Sequence, residues 1–176
     1  PASTSHIGNS KLRTSVMALN RLSDLLAAKS VYTREQLKGV LDTQDATINT
    51  GVFRPAGFDS VLLFVTETKT PDRVQYVDKL EGDVLHWQGQ NAGRSDSLIV
   101  EHRLRGIELL LFYRTRKYEY PGAGFKYEGS FEYVSHQGSM PTSFTLRREA
   151  ERPAQAEIKA ETEALDEEIA FRQARP

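Results

Sequence analysis

A chain of 176 residues with a formal net charge of −1 has room for one domain with appendages, and its charge balance gives no global signature of nucleic-acid binding, so any such surface must be local. With 39% hydrophobic and 27% charged residues, it is neither a disordered nor a collagen-like chain. The absence of cysteine removes disulfides, thiolate metal sites and cysteine nucleophiles together and suits a reducing compartment.

The longest apolar run, Val61-Leu62-Leu63-Phe64-Val65, is far short of the ~20 residues that cross a bilayer. The N-terminus lacks the layout of a signal peptide, which predicts a cytoplasmic setting with no membrane role. Pro1 in place of an initiator Met, and a charged last segment, predict a piece of a longer protein. Residues 50–148 carry 13 basic and 12 acidic side chains, against 4 and 8 beyond residue 148. The acidic excess therefore belongs to the tail, and the middle is slightly basic.

In chain order, Leu12, Val16, Leu19, Leu22 and Leu26 recur at three- and four-residue spacing, predicting an amphipathic helix over residues 10–29. A second, shorter helix starts at Thr33, where Thr33 and Gln36 match a capping box and Tyr32 can staple onto Leu37; it runs to about Leu41. Residues 42–57, rich in Asp, Thr, Asn and Gly and holding Pro55, read as a connector with at most a short helical turn.

From Phe58 the period changes. Residues 61–66, 74–80, 84–87, 107–113, 125–134 and 143–146 have strand lengths and compositions, with Gly, Pro and Asp between them supplying turns. Six strands at this spacing predict a twisted sheet that curls or closes into a barrel. In 125–134, Phe125, Tyr127, Gly129, Phe131 and Tyr133 alternate with mostly polar residues, which predicts one aromatic face. After Arg148, Ile158, Leu165 and Ile169 mark a stripe on a charged helix from about Ala154 to Gln173, started by Pro153. It is either a solvated linker or a helix packed on the domain or a partner. The resulting division is a helical segment over 1–49, a β-barrel-like domain over 50–148 and a charged helix or linker over 149–176.

Three clusters carry candidate chemistry. His86-Trp87-Gln88-Gly89-Gln90-Asn91-Ala92-Gly93-Arg94 holds the sole Trp at the end of a strand. Amides can pair with an adenine edge, Arg with guanine or phosphate, and an exposed ring can stack on a base. Alternatively Trp87 is a core residue and the amides close a turn. Tyr113-Arg114-Thr115-Arg116-Lys117-Tyr118-Glu119-Tyr120 interleaves basic and aromatic residues, as nucleic-acid grooves do; the competing reading is a hairpin edge guarded by charge. Ser135-His136 lies in a strand-to-strand turn. As a catalytic pair it fails, because adjacent strand residues face opposite ways and no acid is placed to orient the imidazole. A backbone-satisfied His, or a phosphate or base contact, remains.

A nuclease-like metal site finds weak material. Asp59 and Glu67-Thr68-Lys69 flank one apolar strand and would lie more than ~20 Å apart at ~3.3 Å per residue. His86 and His102, with Asp96 or Glu101, match no known zinc spacing. No Walker or dinucleotide loop is present. The expectation is no catalytic residue, no metal and no cofactor.

From Tyr32 to Arg148 the order of motifs resembles a family: the domain found in bacterial restriction proteins at the C-terminus of helicase–phospholipase-D-type nucleases and beside HNH nucleases. The matching pieces are Tyr32-Thr33-Arg34 with Leu37 and Leu41, Phe64-Val65-Thr66, Tyr76-x-Asp78, His86-Trp87-Gln88-Gly89-Gln90-Asn91, Leu110-Leu111-Phe112-Tyr113-Arg114, Phe125-Lys126-Tyr127-Glu128-Gly129, and Tyr133 through Pro141. The segment Tyr118-Glu119-Tyr120-Pro121-Gly122 departs from the pattern, and both helical flanks lie outside it. The resemblance implies a target-recognition domain of modification-dependent restriction, similar to the SRA and PUA-like β-barrels that read bases such as 5-methylcytosine.

The periodicity and the resemblance together predict an α+β fold: a curved or closed, mostly antiparallel barrel, SRA- or PUA-like by the resemblance, with the two N-terminal helices and the C-terminal helix that the spacing of apolar residues gives. The Trp87–Asn91 segment would contact a base or groove and Arg94 a phosphate. The wider set expected to touch DNA is His86, Trp87, Gln88, Gln90, Asn91, Arg94, Tyr113, Arg114, Arg116, Lys117, Tyr118, Tyr120, Ser135 and His136. The partners implied are double-stranded DNA, modified, and a nuclease domain of the parent chain, with oligomerisation left open. A metal-dependent nuclease domain and a protein-interaction module of a defence complex are the alternatives.

Overall fold

In a computed structural model, the described residues are 20–68, 78–150, 164, 165, 167 and 169–173. Two strands lie at its centre, β3 (Ser60–Thr66) and β6 (Glu108–Arg114), paired in parallel from Ser60↔Glu108 to Thr66↔Arg114. Between their polar end residues both are apolar, because both faces of this pair are covered. Val61, Leu63, Val65, Leu109, Leu111 and Tyr113 point into one core and Leu62, Phe64, Leu110 and Phe112 into the other, as a period of two requires.

Around this pair the sheet runs β2 (Val52–Phe53), β3, β6, β7 (Phe125–Gln137), β8 (Ser143–Arg148), β5 (Val84–Gln88) and β4 (Lys79–Glu81), with β1 (Val31–Tyr32) beside the start of β7. Every ladder except β3–β6 is antiparallel. The expected barrel does not form. Among the described residues β2 and β4 are the two edges and do not pair with each other, so the sheet is mixed and open within an α+β fold. Strand-like periodicity specifies which face is buried but not which edges pair, and here the sheet stays open around a parallel central pair.

The sheet curls nonetheless: Leu85 and Trp87 of β5 and Phe144 and Leu146 of β8 share the first core with β3 and β6. Ile99 of the short helix α2 (Asp96–Val100), a helix the periodicity did not predict, joins them. The second core is covered by Leu22, by Leu37 of helix α1 (Arg34–Leu41) and by Ile48 in a 3-10 turn. Helix α1 starts at the predicted capping box: Thr33 Oγ1 accepts from the Gln36 N–H, and Gln36 Oε1 from the Thr33 N–H.

The helix expected over 10–29 is corrected where it can be seen; residues 10–19 lie outside the described part. Over 20–29 there is only a 3-10 turn, Leu22–Leu25. Here the backbone donors are diverted to side chains of the sheet. Leu22 N–H donates to Ser60 Oγ at 3.0 Å and Ser23 N–H to the Glu108 carboxylate at 3.0 Å. The C-terminal helix is seen as helical residues at 164, 165, 167 and 169–173, and its remaining expected length lies outside the described residues.

Strand β7 carries two bulges, and they undo the single aromatic face expected for it. Leu111 faces Gly129 but Phe112 faces Tyr127, so Glu128 is an extra residue. Phe125 and Tyr127 consequently enter the second core and Phe131 the first. Gly129 adopts φ 94°, a conformation open to glycine and strained for other residues. The second bulge, between Tyr133 and Ser135, makes Val134 the extra residue and matters for the site.

Candidate nucleic-acid interface

Strands β5, β8 and β7 lie side by side where the first and third sequence clusters fall, and their registers build three cross-strand rows. His86 pairs with Thr145, which pairs with Ser135; Trp87 pairs with Phe144, which pairs with His136; Gln88 pairs with Ser143, which pairs with Gln137. Segments about fifty residues apart in sequence thus share one open cleft of about 440 Å³, lined by these nine residues, with the side chains of the two outer rows on one face of the sheet and those of the middle row on the other. The Val134 bulge decides this arrangement. Without the extra residue, strict alternation from Tyr133 would put Ser135 on the face that His136 now occupies, and the reverse.

The middle row is aromatic: Trp87 and Phe144 are buried in the first core, whereas His136 is exposed. Trp87 stacks on Phe144 with centroids 5.5 Å apart, and the His136 ring lies 6.1 Å beyond Phe144. Tyr133 Oη hydrogen-bonds His136 Nδ1. Trp87 is only 5% exposed, so the exposed indole that could stack on a base is not present in this conformation; the ring forms the floor under the cleft. The two outer rows carry imidazole, amide and hydroxyl groups. Among the described residues no Lys or Arg lines the cleft.

Beyond β5, residues 89–95 form the loop to α2, and its polar side chains divide. Gln90 Oε1 accepts from Ser95 Oγ at 3.0 Å, whereas Asn91 and Arg94 are exposed. Asp96 lies beneath this loop: Thr142 Oγ1 donates to its Oδ2, and a Cβ at position 89 would come 3.3 Å from Oδ1 and 2.9 Å from the Phe144 ring. Gly89 is therefore required for a close approach. Asp96 Oδ1 and Gln88 Oε1 are buried acceptors with no hydrogen-bond partner among the described residues. Both would accept from a donor group brought by a ligand or a water.

The second sequence cluster is elsewhere. Tyr113 and Arg114 end β6 and pair near the start of β7, at Tyr113↔Lys126. Phe125 and His136 stand at most about 36 Å apart along that strand at ~3.3 Å per residue. Both Tyr113 and Arg114 are buried. Tyr113 Oη donates to the Glu67 carboxylate, and burial followed by that bond pushes its phenol far above the ordinary range. Arg114 donates to Thr66 Oγ1 at 2.9 Å and to the carbonyls of Lys117 and Ala123 at 3.1 and 2.7 Å. Arg116, Lys117 and Tyr118 are exposed, with the Lys117 ammonium 5.3 Å from the Tyr118 ring centroid. Tyr120 is half-buried, and burial, then Glu119, raises its phenol.

No protein-family model matches this chain, and no curated protein matches it. Among solved structures, the chain is similar to one described as a modification dependent TagI restriction endonuclease, at a TM-score of 0.43 and 18% identity, covering 73% of this chain and 51% of that one. The chain spans about half the length of that neighbour.

The residues weighed for a metal site do not come together. Asp59 and Glu67 sit at opposite ends of β3, with Asp59 accepting from the Asn20 N–H and Glu67 from Tyr113. His102 is 2% exposed and fully engaged: Nδ1 bonds the Ile107 carbonyl at 2.9 Å and Nε2 accepts the Tyr133 N–H at 3.1 Å. Among the described residues no group of three or more His, Asp or Glu could hold a metal ion, and no helix is long and apolar enough to cross a membrane.

Sequence reasoning missed Gln137, Ser143, Phe144 and Thr145. Their signal was present in the alternation of polar 143 and 145 with apolar 144 and 146, but nothing in it says that this strand lies between β5 and β7.

Proposed function

We propose that this chain is a DNA-recognition module of a restriction system, reading a modified base such as 5-methylcytosine for a nuclease domain of its parent protein. The observation that carries the reading is the convergence of His86, Gln88, Ser135, Ser143 and Thr145 on one cleft that, among the described residues, no Lys, Arg, Asp or Glu lines, with Gln88 Oε1 left without a hydrogen-bond partner. Neutral donors and acceptors at fixed positions suit base edges, whose identity is a pattern of hydrogen-bonding groups. Cations suit phosphates, which position without specifying. Here the exposed Arg94, Arg116 and Lys117 stand outside the cleft. The motif order in the sequence, which resembles a restriction target-recognition domain, supports the same function. Trp87 enters as the ring that sets the floor, acting through Phe144 and His136.

The test is binding to matched duplexes with and without 5-methylcytosine, in the presence and absence of Mg²⁺. The expected outcome is a mobility shift without cleavage, tighter for the modified duplex. Gln88→Ala should narrow that preference by about 5- to 100-fold, the range of one lost base contact at ~1–3 kcal/mol. Arg116→Gln should weaken both duplexes equally. Cutting by this chain would replace the reading with a nuclease, and no shift at any salt would replace it with a protein-interaction module.

A further inference from the structure

Two arginines at the other end of β7 are held in a way that neither the cleft nor the fold accounts for. The Arg34 guanidinium lies 4.6 Å from the Phe64 ring centroid and 5.0 Å from that of Phe125, and the Arg114 guanidinium lies 3.9 Å from Phe125. Two like charges therefore share one aromatic ring. Their hydrogen bonds go to neutral acceptors: Arg34 Nε to the Ile48 carbonyl at 3.0 Å and its Nη2 to the Thr50 carbonyl at 3.5 Å, and Arg114 to Thr66 Oγ1 and two carbonyls.

Among the described residues no carboxylate lies within ion-pair distance of either guanidinium, and one terminal nitrogen of each makes no hydrogen bond. The carboxylates in the neighbouring segments are committed elsewhere: Glu35 to Lys38, Glu67 to Tyr113, and Glu119 to Thr115. Burial lowers the pKa of both arginines, and the charge of Arg114 lowers that of Arg34 further.

Desolvating two cations side by side is costly unless an anion completes them. A fork of N–H donors with spare valence fits phosphoryl oxygens in particular. The exposed Arg116 and Lys117 follow directly in the chain and add positive potential at the same end of β6. We propose that Arg34 and Arg114 form a binding site for a phosphoryl group at the C-terminal ends of β3 and β6. Its assignment to a phosphodiester of bound DNA rests on the recognition reading above; the site itself does not. The two places stand at most about one duplex turn apart, ~36 Å, so one duplex of that length can reach both.

The first measurement needs no DNA. Inorganic phosphate is titrated into the chain at constant ionic strength, with chloride as the balancing salt, and the melting temperature is followed. A saturable rise of about 2–4 °C is expected for the unaltered chain. It should be lost in Arg34→Gln, which keeps a side-chain donor, and be retained in Arg105→Gln, an exposed arginine before the opposite end of β6. Arg34→Lys, which keeps the charge and loses the fork, should recover only part of it.

A rise of equal size in Arg34→Gln, or none above the chloride control at tens of millimolar phosphate, would show that the two arginines only clamp the 46–50 and 115–124 segments. The second arm locates the source of the phosphoryl group, using a plain duplex. Arg34→Gln should lower the slope of log affinity against log salt by about 0.9, one phosphate contact. A lost phosphate response with an unchanged slope keeps the site and assigns it to a free phosphate compound. Loss of preference for 5-methylcytosine with the phosphate response intact tells against the cleft alone.

Discussion

Trp87 and Arg114 show how a residue type suited to a ligand can be consumed by the fold. The indole is packed between the β5–β8 ladder and the first core, stacked on Phe144. Truncating it should remove a large buried surface and leave a cavity that Gly89 and Phe144 cannot fill. Trp87→Ala is expected to cost about 3–5 kcal/mol of stability by chemical denaturation, and to blunt binding of modified and plain duplexes alike because the cleft floor goes with it. A Trp87→Ala protein of unchanged stability that had lost only its preference for the modified base would mean that the ring itself reads the base. Gln88 and His86, on the opposite face of the same strand, are the residues whose loss should separate binding from folding.

At the level of elements, Leu22 and Ser23 are held on the sheet through one carboxylate rather than within a longer helix. Glu108, 5% exposed on β6, accepts from Ser23 N–H, Ser23 Oγ and Ser60 Oγ, while Ser60 Oγ in turn accepts from Leu22 N–H. This network brings Leu22 over the second core. Glu108→Ala leaves buried donors unpaired, and a loss of about 3 kcal/mol is expected. Amide hydrogen exchange should quicken first over residues 21–26, whereas protection lost uniformly across all strands would contradict a local anchor. β7 is the other decisive element, since its two bulges apportion Phe125, Tyr127 and Phe131 between two cores and aim Ser135 and His136.

For the molecule as a whole, pH dependence follows from groups that join elements. His102 links the segment before β6 to β7, and burial, outweighing its bond to the Ile107 carbonyl, holds its pKa below the ordinary value. The unfolded chain then takes up a proton near pH ~6.5 that the folded chain refuses. Its contribution to stability is complete above that pH and is lost as pH falls below it. Glu128 acts in a lower window. Burial works to raise its carboxyl, but Lys29 and Arg148 outweigh this and hold it low. Its contribution is present above the ordinary glutamate range and disappears as pH falls through its lowered value. Melting temperature should therefore decline in a first step between about pH 7 and 5.5. His102→Gln should be less stable at neutral pH and lack that step; a step that survives the substitution assigns it to another group.

Much of this was legible without coordinates. The capping box at Thr33 and Gln36, five of the six strands from residue 61 onward (most of the one expected over 74–80 lies outside the described residues) and the two clusters that meet in the cleft are local matters of periodicity and hydrogen-bonding chemistry, which neighbours along the chain decide. What only the tertiary structure decided is which edges pair and which residues a bulge displaces. The open sheet in place of a barrel, the burial of Trp87, the diversion of residues 20–29 from a helix and the meeting of Arg34 with Arg114 all depend on partners far away in sequence. A single extra residue such as Val134 reverses every side chain after it, and no periodicity read along one strand records the register of the strand beside it.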